Sequence, residues 1–230
     1  MALPVLETPT YTLKLPSTDQ EVKFRPFLVK EHKILMSLAN SSHDEVSRVI
    51  KELIDACTFN SLKLEDLPSF DIEYLFVILR SKSIGEIIPV TVPCSKCNDE
   101  LKAEIDLNKV RVEKGKNIDP KINLRDNIGV ILKYPMFEEI MKAADGNDKT
   151  KIFGLVASCI KEIFTENEVF NKFTLKEAED FLLQFTKEEF SKVEEFFENI
   201  PKVFQDVEAE CKKCNYVNKT TIQGLQNFFV

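Results

Sequence analysis

Tryptophan is absent from this 230-residue chain, histidine occurs twice and glycine six times. The histidines, His32 and His43, stand in polar surroundings and precede no nucleophile, glycine-rich loop or metal-spaced carboxylate, so no catalytic constellation forms around them. The glycines are isolated, at 85, 115, 129, 146, 154 and 224, and none approaches G-x-G-x-x-G or a Walker loop. Phosphate-cradling sites of those kinds are excluded. Uninterrupted apolar runs fall well short of the roughly 18 residues of a helical membrane span. Basic excess is lacking too: a net charge of -7 and a pI near 5.1 give no overall attraction to nucleic acid or anionic lipid. Acidic residues are plentiful but scattered over helix faces, and no two make an acid/base pair.

What remains is 43% hydrophobic and 30% charged, the balance of a globular protein with a protein partner as the default. Phenylalanine, at 18 residues, must supply most of the aromatic core and contact area. Six cysteines divide into two kinds. Cys57 and Cys159 lie on apolar faces at helical spacing and read as buried, inert thiols. Cys94, Cys97, Cys211 and Cys214 form two C-x-x-C pairs, each between strand-like runs: 86–92 (EIIPVTV) and 100–107 (ELKAEIDL) around the first, 204–210 (FQDVEAE) and 216–222 (YVNKTTI) around the second.

Two such strand–knuckle–strand units supply four soft thiolates, the count that tetrahedral zinc requires, so the spacing predicts a shared structural zinc site. Cys211 follows Cys97 by 114 positions, far beyond the spacing of a compact zinc ribbon, so the fold must bring the pairs together. Free or disulfide-bonded thiols are the plain alternative. A dithiol redox site is disfavoured because a polar strand, not a helix N-terminus, follows each pair. Without a signal-peptide pattern, and with four cysteines better explained by metal than by a disulfide framework, maturation in a reducing cytoplasm is expected.

The expected fold class is α+β. Residues 1–85 should hold a β-hairpin (arms 10–16 and 21–29) and helices near 30–38, 44–59 and 71–81, with Ser42 and Ser69 as caps and Leu75, Ile78 and Leu79 facing inward. Residues 86–107 and 204–230 should form the split zinc-ribbon-like module. Residues 108–203 read as a mostly helical insertion. There a strand-like stretch over 110–134 precedes helices at 135–142 and 149–164. Two capping boxes, Thr174/Glu177 and Thr186/Glu189, then open a helical hairpin. Phe190, Val193, Phe196 and Phe197 read as a packing stripe, and Glu188, Glu189, Glu194 and Glu195 as the solvated face of that helix.

The runs 11–18 (YTLKLPST), 24–35 (FRPFLVKEHKIL) and 79–85 (LRSKSIG) leading into Cys94–Cys97, with the second C-x-x-C near the C-terminus, resemble the T4-type baseplate hub protein family of contractile-tailed (T4-like) bacteriophages. His32 departs from that pattern, standing where a second acidic residue is expected before the lysine. The resemblance implies a structural or assembly protein of the tail baseplate, made in the host cytoplasm, with other hub subunits as partners and no catalysis. Arg25, Pro26, Phe27, Lys30 and Glu31 are candidates for an interaction surface, or else shape a strand-to-helix junction. Residues 225–230 (LQNFFV) are either an apolar anchor for a partner or a segment docked on the chain's own core. Two other functions remain open: a nucleic-acid-binding zinc ribbon using Lys96, Lys212 and Lys213, and a metalloenzyme, which four thiolates would leave without an open coordination position.

Overall fold

The computed structural model describes residues 6–113, 119–144 and 150–223. Alternating residues at the N-terminus make an antiparallel hairpin, β1 (Tyr11–Lys14) and β2 (Glu21–Phe24), that turns Leu13, Val22 and Phe24 inward. Three helices follow: α1 (Val29–Met36), α2 (His43–Cys57) and α3 (Ser69–Ser83). The Ser42 hydroxyl accepts the Glu45 N–H at the start of α2, and Val49, Ile50, Leu53 and Ile54 form its buried stripe. By contrast α3 is apolar on nearly every face, with Ile72, Leu75, Phe76, Val77 and Leu79 all buried, and so becomes the central helix of the first lobe.

Ser69 is not the cap of α3. Pro68 holds that position, while Ser69 is buried inside the helix and its N–H donates to the Pro135 carbonyl at 3.0 Å. In the same turn the buried Asp71 carboxylate accepts the N–H of Ser17 at 3.0 Å and a short bond from the Ser17 hydroxyl, fastening the β1–β2 turn to the helix.

Beyond α3 come the first cysteine hairpin, β3 (Ile87–Pro93) with β4 (Glu100–Asp106), and the short β5 (Arg111–Glu113). Next come β6 (Lys121–Asn123), β7 (Gly129–Leu132) and α4 (Phe137–Ala144), whose Phe137 and Met141 join the first core; α5 (Thr150–Ser158), β8 (Ile160–Phe164), β9 (Val169–Phe170), α6 (Leu175–Leu182) and α7 (Lys187–Glu198) follow and, with β6 and β7, make the second lobe. Its strands pair antiparallel in chain order. The fold class is α+β, with helix prevailing over strand in the insertion, but this four-stranded sheet was not expected. The helix read over 149–164 ends at Ser158, and β8 takes its place. Ile160 and Ile163 fit a helical period equally well, and pairing with the buried β7 decides the outcome. Residue 149 itself lies outside the described residues.

Both capping boxes close as read: Thr174 with Glu177, and Thr186 with Glu189. The helices they open do not form a simple hairpin, because α6 packs mainly on α5. Val193 and Phe196 are buried in the second core, with Phe190 and Phe197 packed against it. Glu189 leaves the solvated face assigned to it: it is buried, its Oε1 accepting the Arg125 N–H at 3.0 Å and its Oε2 the Arg125 guanidinium at 2.5 Å. Gly129 is closely surrounded. A Cβ there would lie 2.6 Å from the Ile122 carbonyl oxygen and 2.2 Å from the Phe164 ring. The ring can swing but the carbonyl cannot, so Gly129→Ala is expected to cost about 1–3 kcal/mol in a thermal melt.

The chain then returns to the first lobe through β10 (Lys202–Glu210) and β11 (Val217–Gln223), the second cysteine hairpin. β10 pairs with β5 on its other side, and its Val203 and Val207 belong to the first core. The buried Gln205 amide, oriented to satisfy both groups, donates to the Asp106 carbonyl at 2.8 Å and accepts the Asp106 N–H at 3.0 Å. A side chain thereby stands in for a strand partner between β4 and β10.

Candidate metal centre

Each C-x-x-C forms the tip of an antiparallel hairpin, and the two tips are built alike. In the first, the Cys94 N–H donates to the Asp99 carbonyl (2.8 Å) and the Asn98 N–H to the Cys94 carbonyl (2.8 Å). In the second, Cys211 and Tyr216 (2.9 Å) and Asn215 and Cys211 (2.8 Å) repeat the pattern. The residue after each second cysteine, Asn98 or Asn215, has a positive φ, 58° or 53°. Asparagine tolerates that left-handed turn better than other residues with a Cβ, and it turns the chain so that both sulfurs of a pair lie on one side of the tip.

The tips face each other. All four sulfurs lie within 4.8 Å of one another; Cys94 Sγ is 3.7 Å from Cys214 Sγ, and Cys97 Sγ is 3.6 Å from Cys211 Sγ. A disulfide would need about 2.05 Å, whereas a tetrahedron with metal–sulfur bonds of about 2.3 Å has edges of about 3.8 Å. The observed cross-pairs match the second figure. Cys94 and Cys211 are buried, Cys97 and Cys214 half-buried, and Val92, Leu101 and Ala209 form an apolar collar. No helix N-terminus adjoins either pair, since β4 and β11 follow them. A four-sulfur cage of this geometry could hold one soft divalent ion with no position left for a substrate.

Electrostatics within the cage are uneven. Burial opposes a thiolate at Cys94, but the N–H groups of Cys97 and Lys96 and the Asn218 amide converge on its sulfur and bring its pKa down to about 6. At Cys97 the Asp99 N–H favours the thiolate, yet desolvation and the three surrounding sulfurs prevail and push that thiol up to about 12. Crowded sulfurs resist four negative charges at once; a divalent cation at their centre removes that resistance.

Asn218 was not anticipated from sequence, and no motif marks it. Its amide oxygen accepts the Ser95 N–H (2.8 Å) and hydroxyl (2.6 Å), and its NH2 reaches Cys94 Sγ at 3.5 Å, so a residue of the second hairpin orients the first. Asn218→Leu keeps the size and removes these bonds. It should weaken metal retention against a competing chelator by about 10- to 100-fold, the usual effect of losing a group that orients a ligand. Lys213 pairs with Asp99 across the two tips at 3.2 Å, so one of the three knuckle lysines is neutralised within the protein.

The strand-to-helix junction behaves as a structural unit. Arg25, Phe27 and Glu31 are buried, with Arg25 Nη2 2.8 Å from Glu31 Oε1, while Lys30 stays in solvent. Exposed apolar side chains beside it include Leu28 and, on α1, Val29, Ile34 and Met36. Residues 225–230 lie outside the described residues. Cys57 and Cys159 are fully buried, and burial pushes their thiols up to about 11 and about 12, the state of inert side chains. Among the described residues no helix is long and apolar enough to cross a membrane.

A family model described as "T4 bacteriophage base plate protein" matches residues 8–230. No curated protein and no solved structure matches the chain.

Proposed function

Since the chain belongs to the T4 bacteriophage base plate protein family, we propose that it is a structural or assembly subunit of the baseplate hub, held in shape by one zinc ion on Cys94, Cys97, Cys211 and Cys214. The family is one of phage baseplate structural proteins, which gives the tail baseplate as its place and other baseplate proteins as partners. The hub, and the host cytoplasm during assembly, are the finer assignments of this reading. So is the division of the chain into 1–85, a metal-stapled module of 86–107 with 204–230, and an insertion of 108–203. It works by contact, without catalysis.

The observation that carries the zinc assignment is the meeting of two like-built hairpin tips at tetrahedral sulfur spacing across 114 positions of sequence. Four thiolates favour zinc over the harder divalent ions. A nucleic-acid role finds little support, with Lys213 spent on Asp99 and a net charge of -7. Two measurements test the reading. The tagged chain, expressed during infection, should co-purify with hub subunits; recovery with none of them overturns the assembly role. A cobalt-substituted sample should show tetrahedral four-thiolate spectra, and a water ligand would overturn the closed site.

A further inference from the structure

Glu73 sits on the central helix α3 and makes no hydrogen bond or ion pair among the described residues. It opens into a cleft of about 390 Å³ where the two lobes meet, walled by Phe70, Ile140, Leu155, Phe197, Ile200 and Val203. Lys202 also lines the cleft, yet forms no ion pair with it. The walls come from α3, α4, α5, α7 and β10, so the cleft exists only in the assembled fold. Burial pushes the Glu73 carboxyl up to about 7, and no cation among the described residues opposes it. An uncompensated carboxylate in apolar surroundings is costly, and nothing in the packing of α3 requires an acid at this position.

We propose that this cleft receives an arginine side chain of a neighbouring baseplate subunit, its stem against the apolar wall and its guanidinium on Glu73. The choice of occupant rests on charge and shape. One carboxylate in an otherwise apolar cleft calls for a single cation on a long apolar stem, and a guanidinium, more weakly hydrated than an ammonium, also packs on the faces of Phe70 and Phe197. Arginines seated in desolvated pockets are frequent centres of binding energy. That the arginine belongs to a baseplate subunit rests on the assembly reading above; that the cleft takes a cation does not.

The test uses the full chain with labelled methyl groups at Ile140, Leu155, Ile200 and Val203, titrated with n-butylguanidinium and with uncharged n-butylurea. Wild-type protein should bind the cation about tenfold more tightly than the urea, and Glu73→Gln should bring that ratio to about one. Equal affinities in wild type, or no binding of the cation, would overturn the proposal. Binding seen only after removal of residues 225–230 would overturn it as well, since the chain's own segment would then be the occupant. Where the cation does bind, Glu73→Arg should abolish co-purification with a baseplate subunit that wild type retains. Undiminished co-purification would overturn the subunit assignment while leaving the cation site intact.

Discussion

Chain purified without chelator is expected to carry one zinc ion, and Cys211→Ser or Cys97→Ser to yield insoluble or metal-free protein. Structural zinc contributes about 10–16 kcal/mol of apparent binding free energy in small peptides, against a net stability of about 5–15 kcal/mol for a whole domain. Loss of even 5 kcal/mol would lower the melting temperature of a chain this size by about 10–20 °C. The effect should be large because the second hairpin also delivers Val203 and Val207 to the first core. Elemental analysis finding no metal, together with a serine variant melting as wild type does, would remove zinc from the account of this fold.

Glu31→Ala should cost about 3–5 kcal/mol, the penalty for leaving its partner's charge buried and unpaired. Arg25 is enclosed, donates to the Pro26 carbonyl at 3.0 Å and has Glu31 as its counter-ion, while Glu31 Oε2 also accepts the Leu28 N–H at 2.7 Å. Burial works against ionisation of Glu31, but the hydrogen bond from Arg25 and the Leu28 N–H outweigh it and hold the carboxyl below its usual 4.5. The sign follows: the stabilisation is complete above the unfolded value and is lost as pH falls through the lower, folded one. Melts between pH 7 and 3 should therefore show an acid-side loss that Glu31→Gln lacks. Replacing the pair with Arg25→Met and Glu31→Leu should restore most of the stability. A Glu31→Ala protein as stable as wild type would show that the pair contributes nothing.

Features that depend on neighbouring residues were legible in the sequence. Thr174 with Glu177 and Thr186 with Glu189 close both halves of their capping boxes as spacing predicts, whereas at Ser42 only the hydroxyl's bond from the Glu45 N–H forms. The C-x-x-C pairs named four cysteines that the fold then brings together. What sequence could not supply was partners distant in the chain. Glu189 reads as one more surface acid until Arg125 covers it, and Ile160–Phe164 passes for helix until β7 pairs with it. The family-like motif at 24–31 left a contact surface and a strand-to-helix junction both open, and only the fold shows Arg25 and Glu31 buried against each other. Asn218 and Glu73 acquire meaning only from residues that arrive from other lobes, strands and helices.

The return of β10 to the first lobe also imposes an order on biosynthesis. At about 5–20 residues per second, the ribosome needs roughly 6–23 s to travel from Cys97 to Cys211. Throughout that interval the nascent chain holds an open half-site of two thiols and a core without Val203 and Val207. The buried residues of the second core, Ile122 to Phe196, all lie within that interval, so this core is free to form first. The first lobe, earliest to be translated, is therefore the last to be completed, and a chelator added during translation should be far more damaging than the same chelator added after release.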